Sequence, residues 1–287
     1  MIYDCFTFFN EFDLLEIRLN ELNNVVDKFV LVEATKTHQG NDKPLYFDEN
    51  KERYKAFSKK IIHIIVNDYP SGENLSPWAY EHNQRNMIRR GLEKCAPDDV
   101  IIISDVDEIP NPDKIKEHHA NHGIKIFRQR MFCYFINCMN ETITNSPYTW
   151  NGSIMVNYKD IGNPQDLREL GMHLLRLYHP NFYNRTFWNV FYWGKMRLKK
   201  QQVFFIKEGG WHFSYLGGVE KIIKKLEAFA HSEYNKVEYK DIKKIESAIN
   251  NGNDIFGRGF NYKIIKIDDS FPKYIVENID KYKQYIK

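Results

Sequence analysis

Strand-length apolar runs separated by longer mixed stretches mark the first third of the chain. Tyr3 to Phe9, Phe29-Val-Leu-Val-Glu33 and Ile61-Ile-His-Ile-Ile-Val66 are such runs, and turn formers and charges such as His38-Gln-Gly-Asn-Asp-Lys-Pro44 lie between them. Leu15, Leu19, Leu22 and Val26 recur at helical spacing, which predicts a helix over 14–26 between the first two strands and so a parallel pair. A second helix is predicted over 78–94, with Pro77 at its start and Pro97 beyond its end. Val100 to Ile103 then fits a strand buried on both faces, and it discharges into Asp105, Asp107 and Glu108. Open α/β sheets bind ligands beyond the carboxyl ends of their strands, which is where this acidic group falls.

From about 125 to 176 the pattern breaks into short β-like runs and turns. Ile206-Lys-Glu-Gly-Gly-Trp-His-Phe-Ser-Tyr-Leu-Gly-Gly218 is an aromatic segment bracketed by glycines, and an amphipathic helix follows with Val219, Ile222, Ile223, Leu226, Phe229 and Ala230 on its apolar face. Another short helix is predicted over 243–250, and the tail from Ile264 alternates apolar and charged residues. With no repeat and no low-complexity linker, the pattern predicts one α/β domain over 1–287. Its mixed, mainly parallel sheet is flanked by helices, with a first half, 1–124, ending after the Asp-x-Asp strand and a second half, 125–287, carrying the C-terminal helices.

Composition narrows the function classes. The 287 residues are 43% hydrophobic and 28% charged, as in ordinary globular proteins, and 41 Lys and Arg against 38 Asp and Glu leave +3, which gives no support for a nucleic-acid partner. Four cysteines without a C-x-x-C pair speak against a zinc site or a disulfide scaffold and for reduced, mostly buried thiols. Asp4, Glu11 and Asp13 interrupt the N-terminal stretch where a signal peptide would need an apolar run, and no apolar run reaches the about 20 residues of a transmembrane helix. The expectation is a soluble, cytoplasmic protein, peripheral to a membrane at most.

Asp105 and Asp107, at i and i+2 beyond a buried strand, can offer hard oxygen ligands to Mn²⁺ or Mg²⁺ shared with a diphosphate, although D-x-D also decorates solvated turns. Glu108 adds repulsion that a cation would offset. A haloacid-dehalogenase-like aspartyl-phosphate reading fails because Ile109 and Pro110 stand where a small hydroxyl residue belongs, and P-loop, G-x-G-x-x-G and H-E-x-x-H signatures are missing. His212 is either a metal or phosphate ligand or a buried hydrogen-bonded histidine. Trp211, Trp188, Tyr192 and Trp193 are either a sugar-stacking surface or core. Lys195, Arg197 and Lys199 are either phosphate contacts or an edge strand. Arg85 is either a diphosphate contact or the partner of Glu81 one turn earlier.

Six ordered blocks carry a family resemblance. Asp4-Cys-Phe-Thr-Phe-Phe-Asn-Glu-Phe-Asp-Leu-Leu-Glu-Ile-Arg-Leu-Asn-Glu-Leu22, Val30-Leu-Val-Glu-Ala-Thr-Lys-Thr37, Lys43-Pro-Leu-Tyr-Phe47, Gln84-Arg-Asn86, Ile103-Ser-Asp-Val-Asp-Glu-Ile-Pro110 and Gly210-Trp-His-Phe-Ser-Tyr-Leu-Gly-Gly218 resemble glycosyltransferase family 17. The resemblance implies a GT-A-like, Rossmann-type fold and inverting transfer of N-acetylglucosamine from UDP-GlcNAc to a glycan or glycolipid hydroxyl. On it, 1–124 becomes the nucleotide-sugar half and 125–287 the acceptor side. Asp105 and Asp107 then engage Mn²⁺ or Mg²⁺ and the donor, with His212 as a further metal or phosphate ligand. Glu208 is the expected general base, with Glu233 and Glu108 as rivals. Glu33 and Thr35 are expected at the nucleoside, Arg85 at the diphosphate, and Trp211 and Glu108 on the acceptor side. The reading from a different class is a non-catalytic carbohydrate- or nucleotide-sugar-binding protein that keeps the fold.

Overall fold

The computed structural model describes residues 1–72, 75–141, 147–175 and 202–287. The expected opening alternation is present: β1 (Ile2–Phe8), α1 (Phe12–Leu22), β2 (Lys28–Ala34), a short α2 (Tyr46–Asn50), β3 (Ile61–Val66) and α3 (Pro77–Asn86) lead to β4 (Val100–Asp105). β1, β2, β3 and β4 pair parallel in the order β3-β2-β1-β4. The chain thus winds outward from β1 to β3 and then crosses to the other side of β1, which opens a crevice between the carboxyl ends of β1 and β4.

The rest of the sheet is mixed. β5 (Glu108–Pro110), α4 (Pro112–His118), β6 (Ile124–Cys133), β7 (Cys138–Glu141), β8 (Thr149–Asn157) and α5 (Pro164–Leu175) come next. Then follow β9 (Val203–Ile206), β10 (Gly210–Ser214), α6 (Gly218–Ala228), α7 (Ile242–Asn251), β11 (Asn261–Ile264) and α8 (Lys273–Glu277). β8 joins β4 to β6 by antiparallel pairing, so one sheet runs β11-β7-β6-β8-β4-β1-β2-β3, with β10 on β5 and β6 and with β9 on β6.

Both faces are covered, as the unbroken apolar run of β4 requires. Phe6, Phe8, Leu31 and Ile102 pack under Leu15, Ile17 and Leu22 of α1 and under Ile275 and Tyr282 of the C-terminal tail. On the opposite face Cys5, Val30, Val32, Ile101 and Ile103 meet Ile88 and Leu92 and, from α5, Leu167 and Leu170. A third cluster joins Met131 and Cys133 of β6 to Ile222 and Leu226 of α6 and Ile245 and Ile249 of α7. Cys5, Cys133 and Cys138 are buried free thiols, and Cys95 is half-buried.

Two predicted helices are shorter than their apolar spacing suggests. α1 stops at Leu22 because the chain turns at Asn23, and the Asp27 carboxylate takes the backbone N–H of Ile2 at 2.7 Å. α3 stops at Asn86 and tightens into a 3₁₀ segment over Met87–Leu92, where Gly91 lies against β2; a Cβ there would meet Val30 Cγ1 at 2.4 Å. The tail, whose apolar and charged residues alternate, forms α8 and a 3₁₀ stretch over Ile279–Tyr285. Among the described residues no helix is long and apolar enough to cross a membrane.

Candidate active site

Asp105 ends β4, Asp107 follows in the turn and Glu108 opens β5, so the backbone presents three carboxylates at the crevice. A buried arginine fixes that turn. Arg18 of α1 is fully buried, forks onto Asp4 Oδ1 and Oδ2 at 2.6 and 2.7 Å, and donates to Ser104 Oγ at 2.6 Å. Its remaining nitrogen donates to the carbonyls of Asp105, Val106 and Glu108 at 3.0, 3.3 and 2.8 Å. One guanidinium therefore ties α1, β1 and β4 to the loop that carries the carboxylates.

The Gly209-Gly210-Trp-His-Phe-Ser214 segment closes the site from the other side. Gly210 has φ 129°, and a Cβ on it would lie 2.2 Å from the Ile109 carbonyl oxygen, so only glycine lets β10 come this close to β5. The resulting register sets His212 opposite Glu108, and the Phe213 N–H donates to the Asp107 carbonyl at 2.9 Å. Strand alternation then sends His212 and Ser214 toward the cleft and Trp211 and Phe213 into the core.

The cleft has a cavity volume of about 630 Å³, within the range of small-molecule sites. Thr7, Phe9 and Glu11 line it from β1 and the loop beyond, Glu81 and Arg85 from α3, Gln165 and Arg168 from α5, and Lys225 from α6. These cations meet the carboxylates directly. Asp105 Oδ1 accepts from Arg85 at 2.9 Å and from Thr7 Oγ1 at 3.2 Å, and its Oδ2 accepts from Arg168 at 3.2 Å. Glu108 is buried, accepting from Trp150 Nε1 at 2.5 Å, from the Asp105 N–H at 3.1 Å and from Arg168. Asp107 Oδ2 accepts from Lys225 Nζ at 2.8 Å, and His212 Nε2 stands 3.6 Å from the same oxygen, beyond hydrogen-bond range. Among the described residues nothing bonds to Asp107 Oδ1, and buried His212 Nδ1 has no partner.

Desolvation deep in the cleft pushes the Asp105 carboxyl up, but Arg85 and Arg168 overcome it and hold the group far below the ordinary carboxylate range. Asp107 follows the same pattern: burial raises it, and Lys225 and His212 bring it down further than burial lifts it. Burial lowers the Lys225 ammonium, and Asp107 and Glu11 more than reverse that. Glu81, Asp105, Asp107 and Glu108 pair with the fixed cations Arg85, Arg168 and Lys225. The offset to Glu108 expected from an external cation comes largely from Arg168.

Several expected site residues are placed elsewhere. Glu33 is fully buried and does not line the cleft; its oxygens accept the Phe47 N–H at 2.9 Å and face His63 at 3.2 Å, so it anchors β2 to α2. Thr35 is engaged by Tyr69 and the Val66 carbonyl and does not line the cleft, where Lys36, Thr37 and His38 do. Trp211 is core, its indole donating to the Ser270 carbonyl at 2.9 Å. Glu208 is exposed in the turn before β10, at the amino end of that strand, and lies off the cleft. Glu233 does not line the cleft itself and is taken up by His231, which does. Arg85 meets both of its expected alternatives in part: it pairs with Glu81 at 3.0 Å and with Asp105. Asp105, expected to share a metal, has both oxygens engaged by protein donors. Trp188, Tyr192, Trp193, Lys195, Arg197 and Lys199 lie outside the described residues.

Arg168, Lys225, Trp150 and Arg18 were not singled out by sequence reasoning. Only Arg18 left a trace, as an arginine inside the apolar stripe Leu15, Leu19 and Leu22.

The model of glycosyltransferase family 17 matches residues 1–152. The beta-1,4-mannosyl-glycoprotein 4-beta-N-acetylglucosaminyltransferase of Homo sapiens is 34% identical over 112 residues, which are 37% of this chain and 21% of that protein. The Mus musculus protein of the same name is 33% identical over the same length and shares. The aligned part is thus about a fifth of the curated relatives. Among solved structures, HddC from Yersinia pseudotuberculosis gives a TM-score of 0.34 at 12% identity over 57% of this chain and 78% of its own. A glycosyltransferase involved in glycosylation of the major capsid of PBCV-1 gives 0.27 at 13% over 72% and 80%. Likeness at this level assigns no function.

Proposed function

Because the chain belongs to glycosyltransferase family 17, we propose that the cleft performs metal-dependent, inverting transfer of N-acetylglucosamine from UDP-GlcNAc to a glycan hydroxyl. The observation that carries this reading is Asp107: a carboxylate in the switch-point crevice, one oxygen held by Lys225 and the other open, beside an imidazole that is aimed but not bonded. Relatives named as N-acetylglucosaminyltransferases support the choice of sugar.

Mn²⁺ and Mg²⁺ at such sites are held by one or two protein ligands plus substrate phosphates and water, so a full protein cage is not required. Asp107 and His212 fit that role, and the imidazole favours Mn²⁺ over Mg²⁺. When bound, the metal supplies Lewis-acid neutralisation of the charge that develops on the departing diphosphate. The protein's own groups do the rest. Lys225 adds a fixed positive charge at the same point, and Arg85 and Arg168, locked on Asp105, keep that carboxylate ionised and the site electrostatically preorganised. The acceptor hydroxyl gives up its proton to a carboxylate or imidazole base in the cleft as its oxygen bonds to the anomeric carbon and the bond to phosphate breaks, with the electron pair leaving on the nucleoside diphosphate.

The test is nucleotide release from UDP-, GDP- and CMP-sugars with Mn²⁺ present. Release from UDP-GlcNAc that chelation abolishes supports the reading. Absence of both turnover and nucleotide binding across the panel removes it in favour of a non-catalytic protein.

A further inference from the structure

The mouth of the cleft between α3 and α5 holds an aromatic feature that the donor chemistry leaves unused. Trp78 stands on the first turn of α3, whose start is fixed by Ser76 accepting the Ala79 N–H at 3.3 Å and by Pro77. Its indole lines the cleft and is 39% exposed. His231, beyond α6, meets it edge-on at 4.7 Å between ring centroids, and His231 is itself held by Glu233 at 2.6 Å. Trp78, Glu81, His82 and Arg85 share one helix face, so the exposed indole and the buried arginine at Asp105 mark the two ends of one wall. Seven residues at 1.5 Å rise put them about 10 Å apart, roughly two pyranose rings.

Polar groups flank the indole. His82 lies 6.3 Å from it between ring centroids, and His82 Nε2 is 3.8 Å from Glu169 Oε1, which also accepts from Gln165 Nε2 at 3.2 Å. Gln165 Oε1 in turn accepts from Arg85 at 2.5 Å, so this rim connects to the carboxylate site. A flat apolar face edged by an imidazole and a carboxylate matches a pyranose, which offers C–H groups on one face and hydroxyls around its edge.

We propose that Trp78, with His82 and Glu169 at its edge and His231 behind it, is a saccharide subsite that receives the acceptor glycan. It rests on the reading of the cleft as a nucleotide-sugar site, since the subsite is placed one disaccharide length from where the donor diphosphate would lie.

Saturation-transfer NMR on the full chain, with UDP present and methyl β-mannopyranoside and N,N′-diacetylchitobiose as probes, tests it. Wild type should saturate the ring protons of at least one probe, Trp78→Ala should lose about tenfold of that signal, and Trp78→Phe should keep part of it. Signal of wild-type size in Trp78→Ala, in protein whose melting curve is unchanged, overturns the proposal, as does no signal in wild type. Calorimetric titration of wild type with UDP separates the two levels: failure to bind UDP removes the donor reading itself, whereas UDP binding with a Trp78-independent saccharide signal removes only the subsite.

Discussion

Replacing Arg18 by Met tests how the carboxylate loop is held. The side chain and Asp4 are both fully buried, so the change strands a carboxylate that has no other charged partner among the described residues. Removing one member of a buried pair costs about 3–5 kcal/mol. Loss of the donor to three loop carbonyls adds about 1 kcal/mol, since two of these bonds are buried and the third is half-buried. Together these come to about 4–6 kcal/mol, which for 287 residues at about 2.1 cal/mol/K each corresponds to a fall of about 7–10 °C in Tm. Urea titration and thermal melting followed by circular dichroism measure it. Asp4→Asn combined with Arg18→Met should recover a good part of the loss, because the stranded charge is gone while the loop remains untied. Arg18→Lys should stay destabilised, since an ammonium cannot fork onto Asp4 and reach the carbonyls at once. A loss below about 1 kcal/mol in Arg18→Met would refute this account of the loop, as would a double variant no better than the single one.

Further outcomes follow from the same geometry. Glu208→Gln should keep transfer within about tenfold of wild type, since positioned proton transfer is worth about 10²–10⁴ and this side chain lies off the cleft; a larger loss of nucleotide release would return it to the mechanism. Lys225→Met should raise Mn²⁺ affinity in the absence of nucleotide, by about tenfold on the strength of one charge-assisted bond, because it frees Asp107 Oδ2; electron paramagnetic resonance of free Mn²⁺ reads this, and unchanged affinity counts against the competition. Asp105 and Asp107 titrate lower folded than unfolded, so the folded state binds fewer protons. Their contribution to stability is complete above about pH 5 and is lost progressively as pH falls below about 4. Urea midpoints from neutral to acid pH should therefore fall less steeply in Asp107→Asn than in wild type.

Much of the parallel half was legible because its signals are local. The runs at Tyr3, Phe29 and Val100 are strands with both faces buried, the run at Ile61 is the half-buried edge strand, and the carboxylates follow the last of the four in sequence. What completes the site is not local. Arg168 and Lys225 reach Asp105 and Asp107 from 63 and 118 positions away, and nothing in their own surroundings distinguishes them from solvated helix charges. Glu33 illustrates the opposite error. A carboxylate at a strand end read as a ligand contact, yet the fold covers it with Phe47 of α2 and His63 of β3. Alternation in Trp211-His-Phe-Ser214 correctly separates two faces, but only the pairing of β10 with β5 decides which face meets the cleft. Trp78 was invisible for a related reason: one aromatic in a helix reads as core until the neighbouring elements leave it open.

The central claim is that Asp107 presents a divalent cation to the donor diphosphate, and calorimetric titration with UDP in the presence and absence of Mn²⁺ tests it most directly. Wild type should bind UDP tightly only with Mn²⁺, and Asp107→Asn should lose the Mn²⁺-dependent part while keeping its melting curve. Equal UDP affinity with and without the metal, or an undiminished metal effect in Asp107→Asn, would contradict it.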